Sequence, residues 1–258
     1  MADPGYFRPL SVVPKGAWLP LGLFALWSGL ALGHVVESPL FISPLSVLSA
    51  PFADPDGREI WAALGASLLR VFAGGIVGAV LGLALGTACG LLRVAALSLA
   101  PTVHSLRQIA VFAWIPLFTA WFGNGETTKL VFTALSTFFP LFLAAEQGMR
   151  ATPVALKEAA ATLGLSRRTR LLQLHFPAAL PNIAIGIQIA ALSAWIGTIG
   201  AEYAIGNGRG LGSYIASARD QFRMDIVLVG VLALAAGGVA LHRACRRLAA
   251  RLSPWTKD

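Results

Sequence analysis

The chain has 258 residues, 56% of them hydrophobic and only 12% charged, with a mean hydropathy of +0.71. Soluble globular domains carry roughly 25% charged residues, so this composition excludes an ordinary water-soluble domain and indicates a membrane protein. The 20 Lys+Arg outnumber the 12 Asp+Glu for a net charge of +8; in a soluble chain that would suggest nucleic acid, whereas in a membrane protein it marks cytoplasmic loops, and no nucleic-acid partner is expected.

A membrane-crossing helix needs about 20 mostly apolar residues. Six such runs are predicted, near 17–36, 64–92, 100–122, 130–149, 183–204 and 224–242. In the first, Ala31-Leu32-Gly33 resembles a small-x-small cleavage site, but it lies inside a run too long for a signal-peptide core, so the run is read as an uncleaved span. With six spans both termini share a side. One side then holds Arg8, Lys15, Arg93, Arg150, Lys157, Arg167, Arg168, Arg170, Arg243, Arg246, Arg247, Arg251 and Lys257, and the other holds Arg58, Lys129, Arg209, Arg219 and Arg223. The larger basic set is expected in the cytoplasm with both termini. Arg70 and Arg107 fall within or near spans, and Glu37, Asp54, Asp56, Glu59 and Glu126 fall outside.

The outer loop 37–63 is rich in Ser-Pro, Ala-Pro and Asp-Pro steps and reads as extended chain and turns. In the second span Gly74, Gly78, Gly82, Gly86 and Gly90 recur every four residues. That spacing puts them on one ridge of a helix, where small residues let a second backbone approach closely in lipid; the ridge predicts a packing seam without naming its partner. Polar side chains inside spans are functional candidates by default. Here they are His104, Arg107 and Gln108 in the third span, Glu146 and Gln147 ending the fourth, and Gln188, Trp195, Glu202 and Tyr203 in the fifth. Arg107, Gln108, Gln188, Trp195 and Glu202 form the pathway set, with interhelical pairing of Arg107 to Glu146 or Glu202 as the competing reading.

The inner loop 150–182 carries two sets of helix signals. Thr152-Pro153 reads as a helix start, Gly164 as a stop, Ser166 as a second start, and Pro177 with Pro181 as a second stop before the fifth span. The first helix shows a small flat face, Ala159-Ala160-Ala161, beside Glu158. A hairpin lying on anionic lipid through Arg167, Arg168 and Arg170 is the alternative to docking in a groove.

Glu158-Ala159-Ala160, Gly164, Leu174 and Pro177 resemble the E-A-A-x3-G-x9-I-x-L-P signature of permease subunits of binding-protein-dependent ABC importers, with Leu174 in place of Ile and Phe176 in place of Leu. Stretches around Trp114-Ile-Pro-Leu, Trp121 to Lys129 and Gly210 to Gly230 are similar to the nitrate/sulfonate/taurine branch, most of all to aliphatic sulfonate permeases. The resemblance implies an all-α type I permease in the bacterial inner membrane. Its parts are an N-terminal segment 1–58, a core 59–245 with a coupling loop at 150–182, and a basic tail 246–258. It further implies a second permease subunit, two cytoplasmic ATPase subunits that bind ATP and Mg and grip the coupling residues, and an external solute-binding protein, periplasmic or lipid-anchored. The solute expected is a small anion, an aliphatic sulfonate or taurine before nitrate, bicarbonate, an aromatic acid or a pyrimidine precursor.

Other classes lack their residues. The four histidines form no H-E-x-x-H pair, no G-x-S-x-G occurs, and no lysine follows glycine as in a P-loop. Cys89 and Cys245 form no C-x-x-C pair. The chain is therefore expected to hold no cofactor or metal and to be no enzyme, and no inverted-repeat symmetry of a secondary transporter is visible.

Overall fold

The computed structural model describes residues 18–33 and 42–252. Arg8, Lys15, Glu37 and Lys257, used in the topology reading above, lie outside them. Helix α1 spans Trp18–Leu32, α2 Pro44–Ala53, α3 Pro55–Leu91, α4 Arg93–Ser98, α5 Ala100–Leu106, α6 Ile115–Phe122, α7 Glu126–Arg150, α8 Val154–Thr162, α9 Arg167–Arg170, α10 Phe176–Ile205, α11 Leu211–Asp220 and α12 Met224–Leu252. No strand occurs among the described residues.

Four of these are long and apolar enough to cross a membrane: α3, α7, α12 and the continuous helix Arg167–Ile205. The third predicted span is broken. Its limbs, Ala100–Leu106 and Val111–Phe122, meet at 94°. Around Arg107 the helix tightens into three-residue turns, Gln108 N–H to Ser105 O and Ile109 N–H to Leu106 O, before Ala110 turns extended and the chain re-enters helix ahead of Pro116. The first predicted span is represented by the 15 residues of α1.

Proline signals in two loops acted in the opposite sense to that expected. In 37–63, Pro44 and Pro55 follow Ser43 and Asp54, whose side chains accept from Ser46 N–H and from Asp56 and Gly57 N–H, so both prolines begin helices. A proline in the first turn lacks only an N–H that has no partner there. Likewise Pro177 and Pro181 do not end a helix. A π turn at Leu171–His175, one residue wider than an α turn, joins α9 to α10 and carries the chain past Pro177.

The core of the bundle is the seam between α3 and α7, which run parallel. Gly74, Gly78, Gly82 and Gly86 are buried and Gly90 is half-buried, and each faces the carbonyl of the α7 residue 56 positions later, from Leu130 to Glu146. A Cβ at these positions would lie 2.8, 2.1, 2.7, 2.3 and 3.0 Å from those oxygens. Only a hydrogen fits, and Cα–H···O contacts replace side-chain packing. Helix α10 lies antiparallel on α7, with Gly186 against Ala144 and Gly197 against Ser136. Helix α12 closes the other side of α10: Trp195 is buried, donates its indole N–H to Leu234 O at 3.2 Å, and rests on Gly237 and Gly238.

Candidate functional site

Between α7 and α10 lies a cleft of about 490 Å³, and Arg107, at the break of the bent span, lines it with Ser136, Gln147, Asn182 and Ser193 among apolar neighbours such as Phe139 and Ile189. Arg107 is exposed and makes no salt bridge among the described residues. Glu146, one acid considered as its partner, instead sits 2.9 Å from His104 Nε2 and 2.7 Å from Arg150 Nη2. The other, Glu202, is held by Arg70 at 2.6 Å.

The five pathway candidates therefore separate. Arg107 lines the cleft, and Gln108 is exposed beside it. Gln188 and Trp195 do share a face, but that face looks towards α12 and His242. At about 100° per residue, Ser193 lies nearly opposite Trp195, and Asn182, Gly186, Ile189, Ser193 and Gly197 mark the cleft face of α10 at helical spacing. That periodicity is legible in the sequence, and the seven-residue spacing of Gln188 and Trp195 marks the opposite face of the same helix.

Glu202 is fully buried. Its carboxylate accepts Ser67 Oγ–H at 2.8 Å, Arg70 Nη1–H at 2.6 Å and Gly212 N–H at 2.9 Å. Arg70 turns its other edge to Glu126, donating from Nε at 2.6 Å and Nη2 at 2.7 Å. Lys129, also buried, donates to Asn207 O and lies 3.5 Å from Glu126. Arg70 was not among the candidates, although it stands one turn before Gly74 on the same ridge. This cluster occupies the distal end of the bundle, opposite α8.

At the α8 end, Pro153 is the N-cap of α8 and supplies no side-chain bond. Thr152, expected to cap it, is buried, donating to Met149 O at 3.2 Å and lying 3.0 Å from His175 Nδ1. Helix α8 ends as anticipated for a glycine stop: Gly164 has φ +62, its N–H reaches Ala161 O at 3.0 Å, and Leu165 N–H reaches Ala160 O at 3.1 Å. Glu158 and Ala159 point outwards, whereas Ala160 is buried in its own chain, so the three do not present one common face. Leu174 lies in the π turn and Pro177 in the first turn of α10, both half-buried. Ser166 Oγ accepts Thr169 N–H at 3.2 Å and starts α9.

The described residues form a helical bundle with an exposed helix–glycine–helix arm between two long apolar helices, the frame of a polytopic membrane protein. The profile of the family described as "binding-protein-dependent transport system inner membrane component" matches residues 78–254, and the chain belongs to that family. It is 31% identical to a putative aliphatic sulfonates transport permease of Bacillus subtilis, over 93% of this chain and 87% of that one. It is 33% identical to the taurine transport system permease of Escherichia coli, over 90% and 86%. A bicarbonate transport system permease of Synechococcus elongatus is 28% identical, over 86% and 83%. The fold matches that of a chain from the MetNI methionine ABC transporter in inward-facing conformations, with a TM-score of 0.67 at 18% identity, covering 78% of this chain and 99% of that one. The chain is thus an ABC importer permease subunit, a transport component of the membrane.

Proposed function

We propose that this subunit moves a small sulfonate such as taurine across the bacterial inner membrane, driven by ATP hydrolysed on partner subunits and supplied by an external binding protein. In this reading two copies pair, the α8 arm and both termini are cytoplasmic, and the distal end with Arg70 and Glu202 faces out. Similarity to sulfonate and taurine permeases supports the solute class. The observation that carries it is Arg107, a cation with no carboxylate partner among the described residues, at the edge of a cleft whose walls are otherwise apolar or neutral. A low-dielectric wall strengthens its attraction for an anion. Glu158 and Ala159, exposed on a helix with a fixed glycine elbow, are the surface offered to the ATPase subunits.

Reconstitution with the cognate ATPase and binding protein tests this. Arg107→Gln should assemble and retain ATP hydrolysis stimulated by loaded binding protein, yet slow taurine uptake at least tenfold, since a hydrogen bond to a charged group contributes about 1.5–3 kcal/mol. Wild-type uptake by Arg107→Gln would remove Arg107 from the path. Uptake by wild type without ATP would exclude an ATP-driven importer.

A further inference from the structure

Ser67, Arg70, Glu126 and Lys129 lie outside the cleft, and with Glu202 they converge on one short segment, Gly206–Gly212. Gly210, at the N-cap of α11, has no side chain to cap the helix. Two other helices do so instead. Leu211 N–H donates to Ser67 Oγ at 2.9 Å and Gly212 N–H to Glu202 Oε2 at 2.9 Å, so free first-turn donors are satisfied and a negative charge meets the positive end of α11. The segment is tightly packed: a Cβ at Gly210 would lie 2.4 Å from Glu202 Cδ, and one at Gly212 2.2 Å from Ile199 O. Lys129 secures the start of the segment through Asn207, whose side-chain N–H reaches Asn124 O at 2.6 Å.

This segment and α11 form one wall of a polar cleft of about 390 Å³, with Asp56 and Glu59 of α3 on the other. Burying charge is costly, and an apolar set packs helices equally well. What charge and direct hydrogen bonds can add is conformational specificity, here one register of the segment against α3 and α7.

The geometry points to Arg70 as a positioning residue for transport: by holding Glu202 it fastens Gly206–Gly212 and α11 to α3 and α7, so that the distal cleft presents one shape to the binding protein. Arg70 touches no solute in this role. The inference rests on the proposed importer function for its partner, but the fastening itself is measurable on the subunit alone.

In lipid nanodiscs, with Cys89 and Cys245 replaced by Ser, spin labels at positions 59 and 209 report the cleft. Wild type should give one narrow distance distribution, Arg70→Gln and Ser67→Ala broad ones, and Arg70→Lys one close to wild type. Ser67→Ala strands no charge and keeps the test open should Arg70→Gln fail to assemble. In the reconstituted importer, the loaded binding protein needed for half-maximal ATP hydrolysis should rise about tenfold in Arg70→Gln and Ser67→Ala and recover in Arg70→Lys, because an unfastened segment must be ordered again on contact. Narrow distributions in both variants overturn the inference. So does a broad distribution with unchanged half-saturation, which makes the pair structural only. A wild-type chain indifferent to its binding protein defeats the importer reading instead, while the label distances still decide whether Arg70 fastens the segment.

Discussion

The buried cluster at the distal end and the exposed α8 arm treat charge in opposite ways. At the distal end Arg70, Lys129, Glu202 and Arg223 all meet partners inside the chain, Arg223 reaching Asp54 at 2.6 Å and Asp225 at 2.9 Å. Around α8, Lys157, Glu158, Arg167 and Arg168 make no salt bridge among the described residues. Buried charge demands compensation, which Arg70 and Glu202 find in each other. Solvated charge costs little, so the charged groups of α8 and α9 need no partner within the chain.

The sharpest way to break this contrast compares two glutamates. Glu202→Leu leaves Arg70 with one carboxylate in place of two and is expected to cost about 3 kcal/mol, while Glu158→Leu should stay within about 0.5 kcal/mol. Unfolding in detergent measures both, and equal losses would erase the difference between the ends.

A smaller effect divides α8 itself. Ala160→Leu overpacks a buried site by about 1–3 kcal/mol, and Gly164→Asp strains a left-handed elbow by about 1–2 kcal/mol. Ala159→Leu should leave stability unchanged and still weaken capture of the ATPase subunits. Full capture by Ala159→Leu would show that α8 docks through another face.

The smallest effect is pH-dependent. The Arg223 guanidinium beside Asp54, a half-buried residue, holds that carboxyl below its ordinary 3.8. A carboxylate with a depressed value contributes stability above its ordinary pKa and loses it as pH falls through the lowered one. The Arg223–Asp54 pair should therefore hold at neutral pH and down to about pH 4, then weaken. The thermal midpoint should show an acid-side step in wild type that is reduced in Arg223→Gln; an identical acid profile would mean that the pair contributes nothing.

How much of this was legible in the residues depends on how far apart the interacting groups lie in the chain. The glycine ridge of α3 was readable because helix geometry alone puts every fourth residue on one face. The glycine stop at Gly164 was readable because the left-handed turn is a local requirement. Pro44 and Pro55 carried helix-start residues just before them, yet the same dipeptides also suit extended loops. Burial of Val47 and Ile60 against the core favours helix in both cases.

By itself, then, the sequence determined the membrane class, the approximate positions of the long helices, the glycine face and the α8 arm, all consequences of composition or of spacing within a few turns. Tertiary structure alone decided that α7 receives the glycine face, that the third span breaks at Arg107, and that Ala160 turns inward. It also decided that Glu202 belongs to Arg70, 132 residues away. Helical periodicity orients a side chain on its own helix; which face it meets depends on the combined packing and charge compensation of helices distant in the chain, and no local pattern encodes that sum.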